Sequence, residues 1–237
     1  MPKNVRRCPP ELWDDKQLLS KCEGFKEFSR GEIESSYLKV FKLLQINGNT
    51  RMLDVGCGRG EMVRKCSEIT DHAFGIDQSP AAVRISSGFT EGGAIVQGSS
   101  TSLPFGNGVF DLISMLGFIE CLCEEDVGQS LEECKRVLKP GGKILITTPN
   151  SLGNSILGFL ERTYSWLYNP NRNRPNADWY QSKFVCSTWN YLSLKRILKK
   201  HGFKSIIWYE PAKSGRIRSV LLRILFFTGP MYCWAYR

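Results

Sequence analysis

Nine residues around the first predicted strand decide the fold, and they read Leu53-Asp54-Val55-Gly56-Cys57-Gly58-Arg59-Gly60-Glu61. An apolar run ends in an acid, and a glycine-dense turn then leads into a helical pattern. This order is typical of a strand followed by a helix whose free N–H groups face a ligand. A dinucleotide fingerprint G-x-G-x-x-G beginning at Gly56 would need glycine or alanine at position 61, where this chain has Glu61. The spacing therefore favours a different nucleotide site.

Apolar runs and helical periods alternate along the rest of the chain. Strands are predicted at 51–55, 73–77, 93–97, 109–115, 143–148, 203–209 and 231–237. Helices are predicted at 32–44, 60–69, from Ser79-Pro80 onwards, 124–138, 187–200 and 216–227, with a turn at Pro140-Gly141-Gly142. Short connections between alternating strands and helices predict an α/β protein with a doubly wound, mostly parallel sheet and helices on both faces.

A chain of 237 residues suits one domain. Within it we predict an N-terminal arm and helix at 1–50, a core at 51–150, an insertion at 151–186, and a C-terminal part at 187–237. The arm, residues 1–20, shows no clear period. The insertion follows the fifth strand and is rich in aromatic, asparagine and arginine residues, so we expect a substrate lid there.

Composition limits the compartment and the chemistry. The nine cysteines are odd in number, contain no C-x-x-C pair and have no histidine near their closest pair, which predicts free thiols and no metal site. The N-terminus has no apolar segment typical of a signal peptide, and no run reaches the ~18 apolar residues of a spanning helix. These features predict a cytoplasmic protein.

The positive charge is concentrated at one end of the chain. Residues 151–237 carry 14 basic and 3 acidic side chains, a net charge of +11, whereas residues 51–150 carry a net charge of −4. The basic character therefore belongs to the C-terminal third and not to the glycine-rich core.

Three further stretches follow the glycine turn in a fixed order. Asp77 ends the second strand twenty-one residues after Gly56, where an acid that binds a ribose belongs. Residues 98–113 read G-S-S-T-S-L-P-F-G-N-G-V-F-D-L-I, and residues 136–142 read R-V-L-K-P-G-G before the fifth strand.

With D-x-G-x-G-x-G at 54–60, these stretches resemble the class I S-adenosylmethionine-dependent methyltransferases, most closely the ubiquinone-biosynthesis-like, type 11 group. The resemblance covers residues 33–150 well and 187–210 loosely. It implies a Rossmann-like, seven-stranded sheet and S-adenosylmethionine as cofactor, with S-adenosylhomocysteine as product. In the stretch at 98–113, the family usually has an acid after the glycine. Here that position is Ser99, a neutral and weaker hydrogen-bond acceptor.

The resemblance also implies a set of cofactor-binding residues. Asp54, Gly56 and Gly58 would surround the methionine part, and Asp77 would hold the ribose. The remaining members would lie at the adenine or offer carbonyls to the methionine amino group: Gln78, Ser99, Ser100, Met115 and Leu116.

Methyl transfer from a sulfonium needs orientation more than a catalytic cluster, and a hydroxyl acceptor gains from a general base. Two weak candidates for a catalytic residue are Glu120, which follows the fourth strand, and Tyr37, on the helix before the first strand. His72 and His201 are expected to be structural.

The sequence favours O-methylation of a small molecule with a lipid-like, quinone-like or glycan-linked acceptor. An RNA methyltransferase that uses the basic C-terminal third is an alternative, and a non-catalytic methyltransferase-like binding protein is another. The predicted helix at 216–227 combines apolar residues with arginines, so it could contact a membrane surface peripherally, although Arg218 falls opposite Arg216 and Arg223.

Overall fold

The structure, a computed structural model, describes five stretches of the chain: residues 8–20, 24–90, 93–151, 184–209 and 230–237. Most of the predicted lid and the whole predicted helix at 216–227 lie outside the described residues.

A seven-stranded sheet forms the centre of the molecule, in the order β3-β2-β1-β4-β5-β7-β6. Its strands are β1 (Met52–Val55), β2 (Ala73–Asp77), β3 (Ala94–Gln97), β4 (Phe110–Leu116), β5 (Leu138–Pro149), β6 (Lys204–Tyr209) and β7 (Pro230–Tyr236). Strand β7 is antiparallel to both of its neighbours, and the other pairs are parallel. The prediction of a doubly wound, mostly parallel sheet is confirmed.

Helices cover both faces of this sheet. They are α1 (Asp15–Ser20), α2 (Phe25–Phe28), α3 (Ser35–Leu44), α4 (Glu61–Ser67), α5 (Pro80–Phe89), α6 (Glu124–Val137) and α7 (Tyr191–Lys200). Successive side chains of a strand point to opposite faces, so Ile113 packs in a cluster with α6 and α7, whereas its neighbour Leu112 packs in a second cluster with α3 and α4. The central strands β1 and β4 are therefore covered on both faces, which is why they contain continuous apolar runs.

The sheet order places the crevice between β1 and β4. From β1 the chain builds outward to β2 and β3, and it then returns to add β4 and β5 on the other side. Ligands of open α/β sheets bind outside the carboxyl ends of the strands at such a reversal point. The residues after β1, β2 and β4 therefore share one edge.

Three local predictions need correction. The Pro-Gly-Gly stretch does not end before the fifth strand; it lies inside β5 as a bulge, because Phe110 pairs with Leu138 and Leu112 pairs with Lys143. Helix α7 begins at Tyr191 and not at Ser187, since the side chain of Asn190 caps it by accepting from the backbone of the following turn.

The third correction concerns the N-terminal arm. Residues 10–12 form a 3-10 turn, and α1 follows at Asp15–Ser20. Leu18 of α1 is buried. The described part of this segment therefore packs against the domain.

Candidate functional site

The glycine turn after β1 takes a conformation that only glycine adopts readily. Gly56, Gly58 and Gly60 have φ angles of 75°, 53° and 83°. The backbone N–H groups of Gly56 and Cys57 both donate to the carbonyl of Ile76, at 2.8 and 3.1 Å. The turn is thereby fixed to the end of β2.

Asp77 faces this turn. Its Oδ2 accepts from the N–H of Gly58 at 2.9 Å, and its Oδ1 accepts from the N–H of Ser79 at 2.9 Å. Burial raises the pKa of Asp77, and the hydrogen bonds from Ser79 and Gly58 oppose that rise. Each carboxylate oxygen has two acceptor positions, so a ligand beside the turn can still donate to Asp77.

Asp54 lies one strand width away, buried at the end of β1. Its Oδ1 accepts from the hydroxyl of Ser114 on β4 at 2.6 Å. Burial raises the pKa of Asp54 to about 7, the bond from Ser114 lowers it, and the nearby Glu61 raises it further. A cation at this position would favour the ionised form of Asp54.

The other residues expected at the cofactor vary in orientation. Gln78 is exposed, and Leu116 is half-buried at the end of β4, next to the fully buried Met115. The Ser99 hydroxyl bonds that of Thr101 at 2.8 Å. The Ser100 hydroxyl bonds Ser130 of α6 at 2.7 Å, so the Ser100 side chain points into the domain.

Glu120 occupies the other half of the same edge. It is 3% exposed, its Oε2 accepts from the hydroxyl of Thr148 at 3.0 Å, and burial raises its pKa to about 7. Its backbone carbonyl accepts from the N–H groups of Cys186 and Ser187, at 2.8 and 3.1 Å. Glu120 thus lies where β4, β5 and the chain after residue 183 meet.

The Cys121 thiol lies near acidic side chains of both halves of the edge. Burial raises the pKa of Cys121, and the carboxylates of both Glu120 and Asp77 lie near enough to raise it further. The residues after β2 and β4 therefore border a common region.

Two other residues considered in the sequence analysis, Tyr37 and His201, make packing or ionic contacts. Tyr37 is half-buried and packs on the cluster formed with α3 and α4. His201 lies at the end of α7, where its Nδ1 is 3.2 Å from Glu132 Oε1. Within the described stretches, no three His, Cys, Asp or Glu side chains are arranged to hold a metal ion, and no helix has the length and apolar character needed to cross a bilayer.

Sequence reasoning missed several side chains of this edge. They are Trp13, Arg59, Ser114, Thr148, Phe184 and Ser187, which contact residues far away in the chain. Arg59 could have been noticed in the sequence, because a cation in a turn between a buried strand and a helix needs a partner when it is buried.

Residues 53–146 match the family model described as a methyltransferase domain. This stretch holds the glycine turn, Asp77 and Glu120. This chain therefore contains a class I S-adenosylmethionine-dependent methyltransferase domain, and the cofactor of such a domain is S-adenosylmethionine.

Curated relatives of this methyltransferase carry different activities in their names. It is 30% identical over 121 residues to 2-methoxy-6-polyprenyl-1,4-benzoquinol methylase of Xenopus laevis, covering 51% of this chain and 37% of the relative. It is 27% identical to the ubiquinone/menaquinone biosynthesis C-methyltransferase of Ectopseudomonas mendocina, covering 72% of each. It is 26% identical to the 18S rRNA (guanine(1575)-N(7))-methyltransferase of Saccharomyces cerevisiae, covering 58% of this chain and 54% of that protein.

A solved structure supports the fold of the methyltransferase. It is a putative methyltransferase in complex with the Haloferax volcanii Trm112 methyltransferase activator, with a TM-score of 0.70 and 15% identity, and the match covers 97% of this chain and 98% of that chain.

The glycine turn fits S-adenosylmethionine. A Cβ placed on Gly58 would meet no atom of the described chain within 4 Å, so space remains beside the Gly58 N–H and the Asp77 carboxylate. Gly56 differs, because a Cβ there would lie 2.2 Å from the Phe118 ring. Gly58 and Asp77 therefore border the open part of the turn, and Gly56 borders the aromatic part.

Proposed function

We propose that this methyltransferase modifies a small, largely apolar acceptor, and that the acceptor atom is a hydroxyl oxygen. The observation that carries the proposal is the Glu120 carboxyl, buried against Thr148 at the same edge as the glycine turn. A carboxyl whose pKa lies at about 7 can take a proton near neutral pH.

The two halves of the edge would have different roles. The cofactor half surrounds Gly58 and Asp77, and the acceptor half surrounds Glu120. Asp77, Gly56 and Gly58 would hold the ribose and methionine parts of the cofactor, and Asp54 would balance its positive charge. Bound S-adenosylmethionine supplies an electrophilic methyl group on sulfur. Glu120 would accept the hydroxyl proton of the acceptor, while Phe118 and Phe184 provide apolar surface that excludes water.

The names of the relatives support a quinone-like acceptor. Two of them act in benzoquinol or ubiquinone and menaquinone chemistry, and one is named as a C-methyltransferase. Methylation at a ring carbon beside a phenol and methylation at the oxygen are both helped by loss of the phenol proton. A base at Glu120 suits either outcome, so a C-methyl product would contradict the oxygen acceptor proposed here and leave the role of Glu120 intact.

The test is a labelling experiment. Purified protein is incubated with methyl-tritiated S-adenosylmethionine and with organic-soluble and aqueous fractions of cell extract. We expect label in an organic-soluble product, and acid hydrolysis with mass spectrometry then identifies an O-methyl or C-methyl group. Label found only in the aqueous or RNA fraction would overturn the proposal of an apolar acceptor.

An RNA substrate is the second candidate. The net charge of +11 over residues 151–237 and the similarity to an 18S rRNA methyltransferase favour it. Binding to RNA should then weaken steeply between 50 and 200 mM salt, by about 10³-fold if six or more phosphates are contacted. Salt-independent or absent binding removes this candidate.

We also propose a peripheral contact between the predicted helix at 216–227 and an acidic lipid surface, supported by its apolar residues and three arginines. Flotation with vesicles rich in phosphatidylserine, whose negative surface attracts basic segments, should carry the protein upward. Replacing Arg216 and Arg223 by glutamine should release it, and equal flotation of both proteins would contradict the contact.

A further inference from the structure

Arg59 is a buried cation in the middle of the glycine turn. Its side chain is 4% exposed, and its Nη2 lies 2.5 Å from Oε1 of Glu61, which is 3% exposed. Burying such a pair removes two charges from water, and apolar residues in its place are often equally stabilising. Fold stability alone therefore does not explain a charged pair at this position.

Two further contacts of the guanidinium group reach the N-terminal segment, which comprises residues 13–20 and 24–28. Nη1 donates to the backbone carbonyl of Leu18 at 3.2 Å, and the group lies over the ring of Phe28 with its carbon 4.9 Å from the ring centre. Gly24 also approaches closely, since a Cβ there would lie 3.3 Å from Nη2. A guanidinium can donate at its edge and stack on its face at once, which an ammonium group cannot do.

The N-terminal segment is held at a second place beside the candidate cofactor site. The Ser79 hydroxyl donates to the carbonyl of Trp13 at 2.7 Å, and the N–H of the same serine donates to Asp77. The Trp13 ring lies 4.7 Å from the ring of Phe184, which belongs to the acceptor half of the edge. Residues 13–18 thus run from the acceptor half past the ribose acid to the glycine turn.

We propose that Arg59 is a positioning residue that holds the N-terminal segment over the cofactor site and thereby slows release of the bound nucleoside. The inference rests on the proposed cofactor-binding role of Gly58 and Asp77. Because Arg59 and Ser79 lie next to the hydrogen-bonded pair of Gly58 and Asp77, we expect the segment fixed to both to move when a ligand at that pair leaves.

The test measures the dissociation rate of S-adenosylhomocysteine by stopped-flow fluorescence of the wild-type protein and three variants. Arg59→Met combined with Glu61→Gln removes both charges together, so no unpaired buried charge remains. Phe28→Leu leaves the ion pair intact and removes the ring that stacks on Arg59 and also contacts Phe89. Lys65→Met is the matched control, because Lys65 is in the same helix as Glu61 but forms a solvent-facing pair with Glu68.

We expect dissociation to be about tenfold faster in the double variant and about threefold faster in Phe28→Leu, with association rates within a factor of two of wild type. Hydrogen exchange at residues 13–20 should be faster in both variants with and without ligand. Lys65→Met should match wild type in both measurements. A residue that only supports the fold would change the midpoint of unfolding without this selective effect on dissociation.

Two other outcomes have separate meanings. If wild-type protein does not bind S-adenosylhomocysteine at all, the proposed cofactor site fails and this inference fails with it. If wild type binds, and Phe28→Leu loosens residues 13–20 without changing the dissociation rate, the positioning role is wrong while the cofactor site stands. Should the double variant not fold, the dissociation rate of Phe28→Leu alone decides whether the positioning role holds.

Discussion

The two halves of the site are built in different ways. The cofactor half uses backbone N–H groups and one carboxylate from two neighbouring connections, so that Gly58 and Asp77 meet across 19 residues of chain. In the acceptor half, Glu120 meets Thr148 across 28 residues, and Ile119 meets Ser187 across 68. We expect the cofactor to bind at a turn formed by neighbouring stretches, with Asp54 and Ser114 as a more distant pair, whereas the acceptor half is assembled from distant segments throughout. Substitutions should separate the two halves by what they abolish.

The largest effect is expected from alanine in the glycine turn. Gly56→Ala places a Cβ 2.2 Å from the Phe118 ring at a φ of 75°, so we expect loss of several kcal/mol of folding free energy and of cofactor binding. Gly58→Ala meets no described atom, and at a φ of 53° it should cost only about 1–2 kcal/mol of stability. Calorimetry should nevertheless show loss of cofactor binding, because the Cβ would fill the space left for the ligand.

Gly141→Ala is the matched control for Gly58→Ala. Gly141 has a φ of 79° and equally open surroundings, but it lies in the bulge of β5. It should show a similar loss of stability and unchanged cofactor affinity. Equal affinity in Gly58→Ala and Gly141→Ala would mean that the cofactor does not approach the turn.

Glu120→Gln should leave the cofactor half intact and reduce turnover. Loss of a general base lowers the rate about 10²-fold or more. The wild-type rate should rise with pH through about 7, since only ionised Glu120 accepts a proton, and the variant should lack this rise. Rate profiles with the labelled acceptor measure both effects.

The control for Glu120 is Glu124→Gln, an exposed acid in the first turn of α6. It should keep the wild-type rate and pH profile. If Glu120→Gln retained both as well, the proton would have to leave by another route.

Asp77→Asn should weaken cofactor binding by about tenfold to hundredfold, the range expected for hydrogen bonds to a charged group. An amide also offers only one acceptor oxygen, so it cannot serve Gly58 and Ser79 as the carboxylate does. Titration with S-adenosylhomocysteine measures the change. In contrast, Asp111→Asn, at the amino end of β4 beside Lys139, should leave the affinity unchanged.

A smaller, pH-dependent effect is expected at Asp54. The folded protein holds its pKa at about 7, above the ordinary 3.8, so the carboxyl is mostly protonated at pH 6 and mostly ionised at pH 8. Affinity for the cationic S-adenosylmethionine should therefore rise about tenfold over this interval. Asp54→Asn should remove the pH dependence.

Ser114→Ala tests the titration of Asp54 more specifically than Asp54→Asn does. It deletes the hydrogen bond that favours ionised Asp54. The rise in affinity should then occur at higher pH. An unshifted rise would assign the titration to a different group.

The smallest expected effect is an increase in affinity for S-adenosylhomocysteine. Ser99→Asp would place a charged acceptor where Ser99 now bonds the hydroxyl of Thr101. Affinity for S-adenosylhomocysteine should increase about fivefold, as charged acceptors are roughly twice as strong as neutral ones. Ser102→Asp, three residues further along the same loop, is a control for added charge alone and should not increase the affinity.

The fold could be predicted where burial imposes a simple pattern. Strands β1 to β4 lie within one residue of their predicted ends, and β2 matches at both ends. For β1 and β4 the reason is burial on both faces, which gives short apolar runs. Helix α1 was missed because six residues are too few to show a helical period. The start of α7 was placed too early because the capping of Asn190 depends on side-chain hydrogen bonds that a period does not show.

The meeting of the glycine turn with Asp77 could likewise be predicted from the sequence, since Gly56, Gly58 and Asp77 belong to contiguous stretches with a fixed spacing. The acceptor half could not. The contacts of Thr148 with Glu120 and of Trp13 with Phe184 depend on how the sheet brings distant segments together. The hydrophobic periodicity of a single segment does not show such contacts. The contacts of Arg59 with the N-terminal segment could not be predicted for the same reason.

The most direct test of the account is a crystal structure of the protein with S-adenosylhomocysteine. We predict that both ribose hydroxyls lie within about 3.2 Å, the usual hydrogen-bond limit, of the Asp77 carboxylate, and that the amino acid part lies against Gly56 and Gly58. A nucleoside bound elsewhere, with no contact to Asp77, would contradict the central claim.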